Sequence, residues 1–470
     1  VSQLSNCFAS LILVLVATSF VHAADEWPQF RGPSGQGHAD ATGLALTWSE
    51  SKNVTWKTAI PGRGHSSPVI SGNQIWLLTA VTKELSQEEV KARLAKLKNS
   101  NGLLVGGRVS LIAVCVDRKN GKVVRQIPVL TVEEPEPIHS LNSYASPTPV
   151  IEGNRLYCHF GTYGTVCLNT DTDKIEWSQT NLHVNHQNGP GSSPVVWRDL
   201  VIIHLDGIDR QFVAALDKRS GKVVWETARS GKMNDRREFQ KAYCTPLIIE
   251  DDKRVQLISP GADWVYSYDP ASGEELWRAH YGQLGFSTVP RPVIGDGMVF
   301  ICTSYLKSRL LAVRYDGIGD VSKTHVAWHS DRQAPKKPSL LFINGLIYAL
   351  SDGGVATCFD ARSGEQKWVH RLGGQYSASP LYADGRIYFF SQDGKSTVIK
   401  PGDEYSELAI NALDGGFMAS PAVAGKALFL RTEGHLYRIE KQMAAKCGGL
   451  KTNRQRVSVE FSASGPRVPS

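Results

Sequence analysis

The chain has 470 residues, 41% of them hydrophobic, and 52 Lys and Arg against 45 Asp and Glu give a formal charge of +7. That is enough apolar material for a packed core, yet no run reaches the roughly 18–20 apolar residues that a membrane-crossing helix requires. Most of the charge sits at one end: Lys441, Lys446, Lys451, Arg454, Arg456 and Arg467 against Glu460 alone put +5 on residues 441–470. The body is therefore close to neutral, and the tail reads as a basic, solvated appendage.

Taken from the N-terminus, residues 1–23 read as a secretory signal. Phe8 to Val21 is weakly polar to apolar, and Val21-His22-Ala23-Ala24 offers small residues for cleavage near Ala23 or Ala24. Cys7 precedes the apolar run and is not placed as a lipid-anchored cysteine would be. Export, to the periplasm or beyond the cell, is the expectation. Trp27-Pro28-Gln29-Phe30-Arg31-Gly32-Pro33 and a Gly-rich loop to Gly37 then lead to Asn53-Val-Thr-Trp56-Lys57.

From here the chain repeats itself. A polar residue and a proline open a short apolar run eight times: Ser67-Pro68, Ser146-Pro147, Ser193-Pro194, Thr245-Pro246, Arg291-Pro292, Lys337-Pro338, Ser379-Pro380 and Ser420-Pro421. After the first step, of 79 residues, the steps lie between 41 and 52. Most units hold a second strand-like run, then a third that ends in an acid or amide, a turn and a Trp. Asn169 to Trp177, Asp217 to Trp225, Asp269 to Trp277 and Asp360 to Trp368 are each eight residues. A period near 45 with four strands per unit predicts one propeller blade per unit.

The fold class is therefore all-β: an eight-bladed β-propeller of four-stranded antiparallel blades over residues 24–440. The last opening supplies only three strands, and the strand around Trp56 is a fourth without its first three, so the N-terminal strand is expected to close the last blade. Asp296-Gly297, Asn344-Gly345, Asp384-Gly385 and Glu152-Gly153-Asn154 read as hairpin turns. Trp56, Trp177, Trp225, Trp277, Trp328 and Trp368 are expected to dock each blade on the next. The long first step holds Ser86-Gln-Glu-Glu89, a capping box, with Val90, Leu94 and Leu97 on one helical face. This predicts a short helical insertion, about 84–100, lying on the propeller edge.

The cysteines point to no disulfide. Cys115, Cys167 and Cys358 share one third-strand register in three different blades, too far apart to bridge, and read as buried free thiols. No adjacent Cys-Cys pair and no Cys-x-x-Cys-His occurs, so there is no sequence-level haem site. No metal site is assigned: His65, His139, His183 and His186 have no ligand spacing, and Asn169-Thr-Asp171-Thr-Asp173 fails the EF-hand pattern because Lys174 stands where Gly is needed.

The Ser-Pro-Val openings and Ala215-Leu-Asp217 to Gly221 to Trp225 resemble the repeat of the pyrroloquinoline-quinone (PQQ) propeller superfamily. The Trp-Pro-x-Phe-Arg-Gly-Pro start, Phe160-Gly-Thr-Tyr-Gly164 and Leu257-Ile-Ser-Pro-Gly-Ala262 are similar to exported PQQ-like propellers of planctomycete type, a family related to the propeller lipoprotein of outer-membrane barrel assembly. The resemblance implies a non-catalytic binding or scaffold propeller of the cell envelope, with a PQQ-dependent dehydrogenase of alcohols or sugars as the alternative. PQQ stays open as a cofactor, although the paired cysteines that hold it in the dehydrogenases are missing and no calcium ligand can be carried over.

The first strand of each blade is innermost, so the residues just before each opening are expected to line one mouth of the channel. They are Arg63 and His65, Asn142 and Tyr144, Asn188, Lys241 and Tyr243, Arg291, Lys336 and Lys337, and Tyr376. Five are Lys or Arg and none is Asp or Glu, which favours an anionic ligand. Arg291 and Lys337 in particular are expected to share one anion. No catalytic residue is assigned. The expected partners are envelope proteins or a small anion, not nucleic acid, and the ring is expected to act as a monomer.

Overall fold

The computed structural model describes residues 25–97, 100–282 and 285–442. The expected signal segment, its expected cleavage site and nearly all of the basic tail lie outside them. Eight four-stranded antiparallel units make the ring, and the strand boundaries follow the repeat. Blade three is typical: Val195–Trp197, Leu200–Asp206, Gln211–Asp217 and Val223–Ala228. Its two middle strands are almost wholly buried between neighbouring blades, whereas its fourth exposes every residue except Trp225 and Thr227 to a large degree. Among the described residues the single α-helix is Gln87–Leu94.

Closure falls where the sequence places it. Val54–Ala59 pairs antiparallel with His435–Glu440, outside Ala427–Arg431 and Ala422–Ala424, with Trp56 opposite Arg438. At Asp296-Gly297, Asn344-Gly345 and Asp384-Gly385 both residues have positive φ, as a type I′ turn demands. In the Glu152-Gly153-Asn154 turn Gly153 alone does.

The fixed spacing from acid to Trp has a mechanical cause. Asp217 caps the turn between strands three and four, its Oδ1 accepting the amides of Arg219 and Ser220. The tightened turn then presents two things to the preceding blade, a free carbonyl at Lys218 and a bare face at Gly221. Trp177 uses both: its indole N–H donates to Lys218 O at 3.0 Å, and a Cβ on Gly221 would stand 2.4 Å from the ring. Trp56 on Arg118 O, Trp225 on Pro270 O and Trp328 on Ala361 O repeat the contact at 2.9–3.1 Å. Trp368 reaches Gly402 O. Trp277 differs, donating to Gln256 Oε1 of its own blade, because the next blade replaces its tight turn with a loop whose Gly319–Asp320 pairs alongside Trp277. In blade one Arg125 stands opposite Cys115 where Trp177 stands opposite Cys167, and it reaches Asp173 of blade two at 3.1 Å.

Trp225→Ala and Trp368→Ala should each destabilise by about 3–5 kcal/mol, the cost of truncating a large buried aromatic. Urea unfolding measures this, and losses under about 1 kcal/mol at both would show that neither ring bears on its neighbour.

The cysteine reading holds for the described residues: Cys115, Cys158, Cys167, Cys244, Cys302 and Cys358 are all free and buried. The insertion is corrected in place. The capping box forms on Ser86 and Glu89, and Val90, Leu94 and Leu97 make the half-buried face. However, Leu103–Leu104 pairs with Ile138–His139, and Arg93 donates to Pro135 O. These contacts hold the end of the insertion to the segment that leads into blade two, on the mouth side of the ring, where Asn101 joins the cavity lining.

Candidate functional site: a channel closed at one end

The innermost strands are latched to one another by hydroxyls. The amide of Ser67 donates to Thr148 Oγ1, that of Thr148 to Ser193 Oγ, and that of Ser193 to Thr245 Oγ1, each at 2.9 Å. Arg291 to Ser339, Ser339 to Ser379 and Ser379 to Ser420 continue the belt at 2.9–3.0 Å. The Ser-Pro signature thus has a physical reading: the hydroxyl receives the preceding blade's amide, and Pro follows because the inner edge of the first strand needs no further donor there. The belt also corrects the register. In blades two and six the belt residues are Thr148 and Ser339, so Ser146 and Lys337 stand two residues early. Lys337 is therefore not equivalent to Arg291.

Arg291 alone brings no hydroxyl to this belt. Its guanidinium turns away from the mouth, donating from Nη1 to Phe30 O at 2.6 Å and from Nε to Pro246 O at 3.1 Å. Phe30 belongs to a strap running from Trp27 to Gly37. Trp27 exchanges backbone hydrogen bonds with Ile70 of blade one, and Pro28 O accepts from Ile151 of blade two. Arg31 reaches Leu340 O of blade six, Gln36 Oε1 accepts from Ile294 of blade five, and Gly37 O accepts from Tyr382 of blade seven. Blades one and five face each other across an eight-membered ring, so the strap crosses the axis. Its contacts lie at the far ends of the first strands, opposite the mouth.

What remains is a blind cavity of about 630 Å³, with the belt hydroxyls in its wall and Phe30 in its lining. Of the sequence candidates, His65, Asn142, Asn188, Lys241 and Lys337 come together there, with Tyr243 and Lys336. Four do not. Arg63 donates to Ser140 O at the rim, Tyr144 is buried with its hydroxyl on Glu136 O, Tyr376 is buried in the core between blades six and seven, and Arg291 serves the strap. The shared anion expected of Arg291 and Lys337 is thereby overturned: the first points away, and Lys337 Nζ lies 3.9 Å from Asp352 Oδ2 of its own chain.

The mouth is also less one-sided in charge than its pre-strand residues alone indicate. Asp352 and Glu238 both line it. Asp352 comes from the loop between strands two and three of blade six, which opens on the same face, and its Oδ1 accepts the amides of Lys336 and Lys337. Burial raises its carboxyl above the usual value. On the side of blades four and five an aromatic wall rises: Phe239 stacks on Phe286 at 4.5 Å, and Tyr305 meets Phe286 edge-on at 6.0 Å. Lys241 sits over Phe286 and Lys336 over Tyr305, 5.5 and 5.2 Å from the ring centres. Burial pulls Lys241 down to about 8. His65 is held at about 3, first by burial and then by Arg431 and Arg63, so it is neutral at ordinary pH.

A quinone site does not fit these residues. The described cysteines are all free, with no two adjacent in sequence, and among the described residues no Trp ring lines the cavity to supply the other face of a cofactor sandwich. Among the described residues no three His, Cys, Asp or Glu side chains are placed to hold a metal ion.

An eight-bladed ring with hydroxyl-latched first strands and Trp-on-Gly docking defines a PQQ-like repeat propeller. The chain belongs to the family described as outer membrane protein assembly factor BamB, whose profile matches residues 38–227, 209–343 and 314–416. It is 24% identical to the outer membrane protein assembly factor BamB of Yersinia pestis over 237 residues, 40% of this chain and 58% of that protein. It thus spans less than two thirds of that relative's length. The crystal structure of BamB from Moraxella catarrhalis superposes with a TM-score of 0.51 at 13% identity, covering 72% of this chain and 99% of that one. A europium-containing methanol dehydrogenase superposes with a TM-score of 0.61 at 11% identity, over 87% and 90%. At such identities the superpositions speak for the fold alone.

Proposed function

We propose that this protein is a non-catalytic scaffold of the cell envelope, exported to the periplasm or cell surface, that holds other envelope proteins while outer-membrane proteins are assembled. The observation that carries this reading is the family match running through residues 38–416. The mouth is the docking face we assign. Leu141, Tyr305 and Leu306 stand about half exposed around it, and Lys241 and Lys336 have no carboxylate within ion-pair distance among the described residues. Apolar contact with an acidic group reaching His65, Asn142, Asn188, Lys241 and Lys337 fits that surface. A blind cavity admits a side chain or a chain end; it offers no passage.

The test places a photo-crosslinking residue at Leu306 on the mouth, or at Val224 on the outer edge of blade three, in cells. Adducts with envelope proteins are expected from Leu306 and not from Val224. Lys241→Glu with Lys336→Glu should weaken binding of the captured partner at least tenfold, since charge-assisted contacts are worth about 1.5–3 kcal/mol each. Binding should also weaken as pH rises through about 8, where Lys241 loses its proton. A tightly held chromophore and alcohol-dependent dye reduction after adding PQQ and Ca²⁺ would replace this reading with the dehydrogenase.

A further inference from the structure

The strap carries charge that the rest of the fold leaves uncompensated. Arg31 and Arg291 are each 2% exposed, and they lie close enough for the charge of Arg291 to lower the affinity of Arg31 for its proton. Burial first, then Arg291, pulls Arg31 to about 9, and burial pulls Arg291 to about 10. Both remain protonated at neutral pH, as arginines do.

Their partners are all neutral. Arg31 Nη2 donates to Leu340 O at 2.6 Å and Gln36 O at 2.7 Å. Arg291 uses Phe30 O, Pro246 O and, at 3.4 Å, Gln29 Oε1. No carboxylate among the described residues forms an ion pair with either guanidinium, unlike buried Arg229, which has Asp206 at 3.0 Å. Meanwhile Arg31 Nε and Nη1 are buried with no acceptor at all. Two like charges buried in one neighbourhood, with N–H groups left over, are costly unless a counter-charge joins them.

The loop around them is built for close approach. Gly35 and Gly37 both have positive φ, and a Cβ would stand 2.5 Å from the Arg291 guanidinium carbon at the first and 2.6 Å from Arg31 Nη2 at the second. The backbone therefore wraps the two cations tightly. Neither guanidinium lines the channel cavity, whereas Phe30 does. A ligand carried by a partner protein has no route to them; a small ion trapped as the strap closes does.

We propose that a small inorganic anion of the halide class is bound between Arg31 and Arg291 beneath Phe30, as a built-in counter-ion that fastens the strap to blades five and six. The site is independent of the mouth and of what docks there.

The test uses the whole protein. Crystals grown with bromide in place of chloride should give an anomalous peak within hydrogen-bonding reach of Arg31 Nε and Nη1. The melting temperature should rise with halide concentration relative to sodium gluconate at equal ionic strength, as for any ligand that binds the folded state. Arg31→Gln should abolish that halide dependence, and Arg219→Gln, on the exposed surface, should keep it. Ordered water at Arg31 without anomalous signal, or equal melting temperatures in the two salts, would overturn the proposal. Both of these measurements need the wild type alone, so a failure of Arg31→Gln to fold leaves the test intact.

Discussion

Removing residues 25–60 should abolish cooperative folding and leave an aggregating protein. The segment supplies Val54–Ala59, whose loss strips the outer strand from the last blade and bares the row of backbone groups along His435–Glu440. It also supplies Trp56, which seats on Gly121 and joins the last blade to the first. The strap goes with it, leaving Arg291 without Phe30 O and the ring without its cross-brace. Size-exclusion chromatography and a thermal melt read the result. A soluble truncation with a single sharp transition would show that the ring closes without these residues.

The second large effect is expected from Asp206→Asn. Asp206 is fully buried between blades three and four, with Arg229 Nε at 3.0 Å from Oδ1 and 3.2 Å from Oδ2, and His204 Nε2 at 3.2 Å from Oδ2. Burial, the largest single influence, acts to raise its carboxyl, but Arg229 and His204 together outweigh it and hold it below the usual range. Arg229 also donates to Ser259 Oγ and to the Tyr268 hydroxyl. Substitution leaves its charge buried and unpaired, which costs about 3–5 kcal/mol. Asp206→Leu combined with Arg229→Met should recover much of the loss. Because the native carboxyl is the stronger acid, the wild-type advantage is full above the ordinary aspartate value of 3.8 and fades as pH falls below it. Urea unfolding at neutral and acid pH checks both points. A loss under about 1 kcal/mol at neutral pH would mean that Arg229 finds another acceptor.

The ring was readable from sequence because most blades restate the same local physics. Asp217 to Trp225 is a cap, a bearing surface and a docking ring in nine residues, and every part of it is local. The belt was harder. Ser146-Pro147-Thr148-Pro149 offers two openings, and which hydroxyl meets the amide of Ser67 is decided by the neighbouring blade. Lys337-Pro338-Ser339 misleads in the same way. The mouth was half legible, since pre-strand segments supply His65, Asn142, Asn188, Lys241 and Lys337, whereas Asp352 arrives from a loop with no repeated signature. The strap was illegible for a deeper reason. Arg31 meets Leu340 across 309 residues of chain, and nothing in Trp27 to Gly37 has a period to betray its partners.

Closing a ring with its own first strand sets an order in time. About 380 residues separate Ala59 from His435, the two ends of that pairing. At ordinary synthesis rates they take on the order of tens of seconds to appear. Throughout that interval Val54–Ala59 is a strand awaiting a partner, and until Arg291 and the blades after it appear, the segment from Trp27 to Gly37 has only its blade-one and blade-two contacts to hold. Such long-range pairing is slow, and it leaves an edge that other chains can capture. The protein therefore depends, while it is being made, on whatever keeps those first residues from pairing too soon.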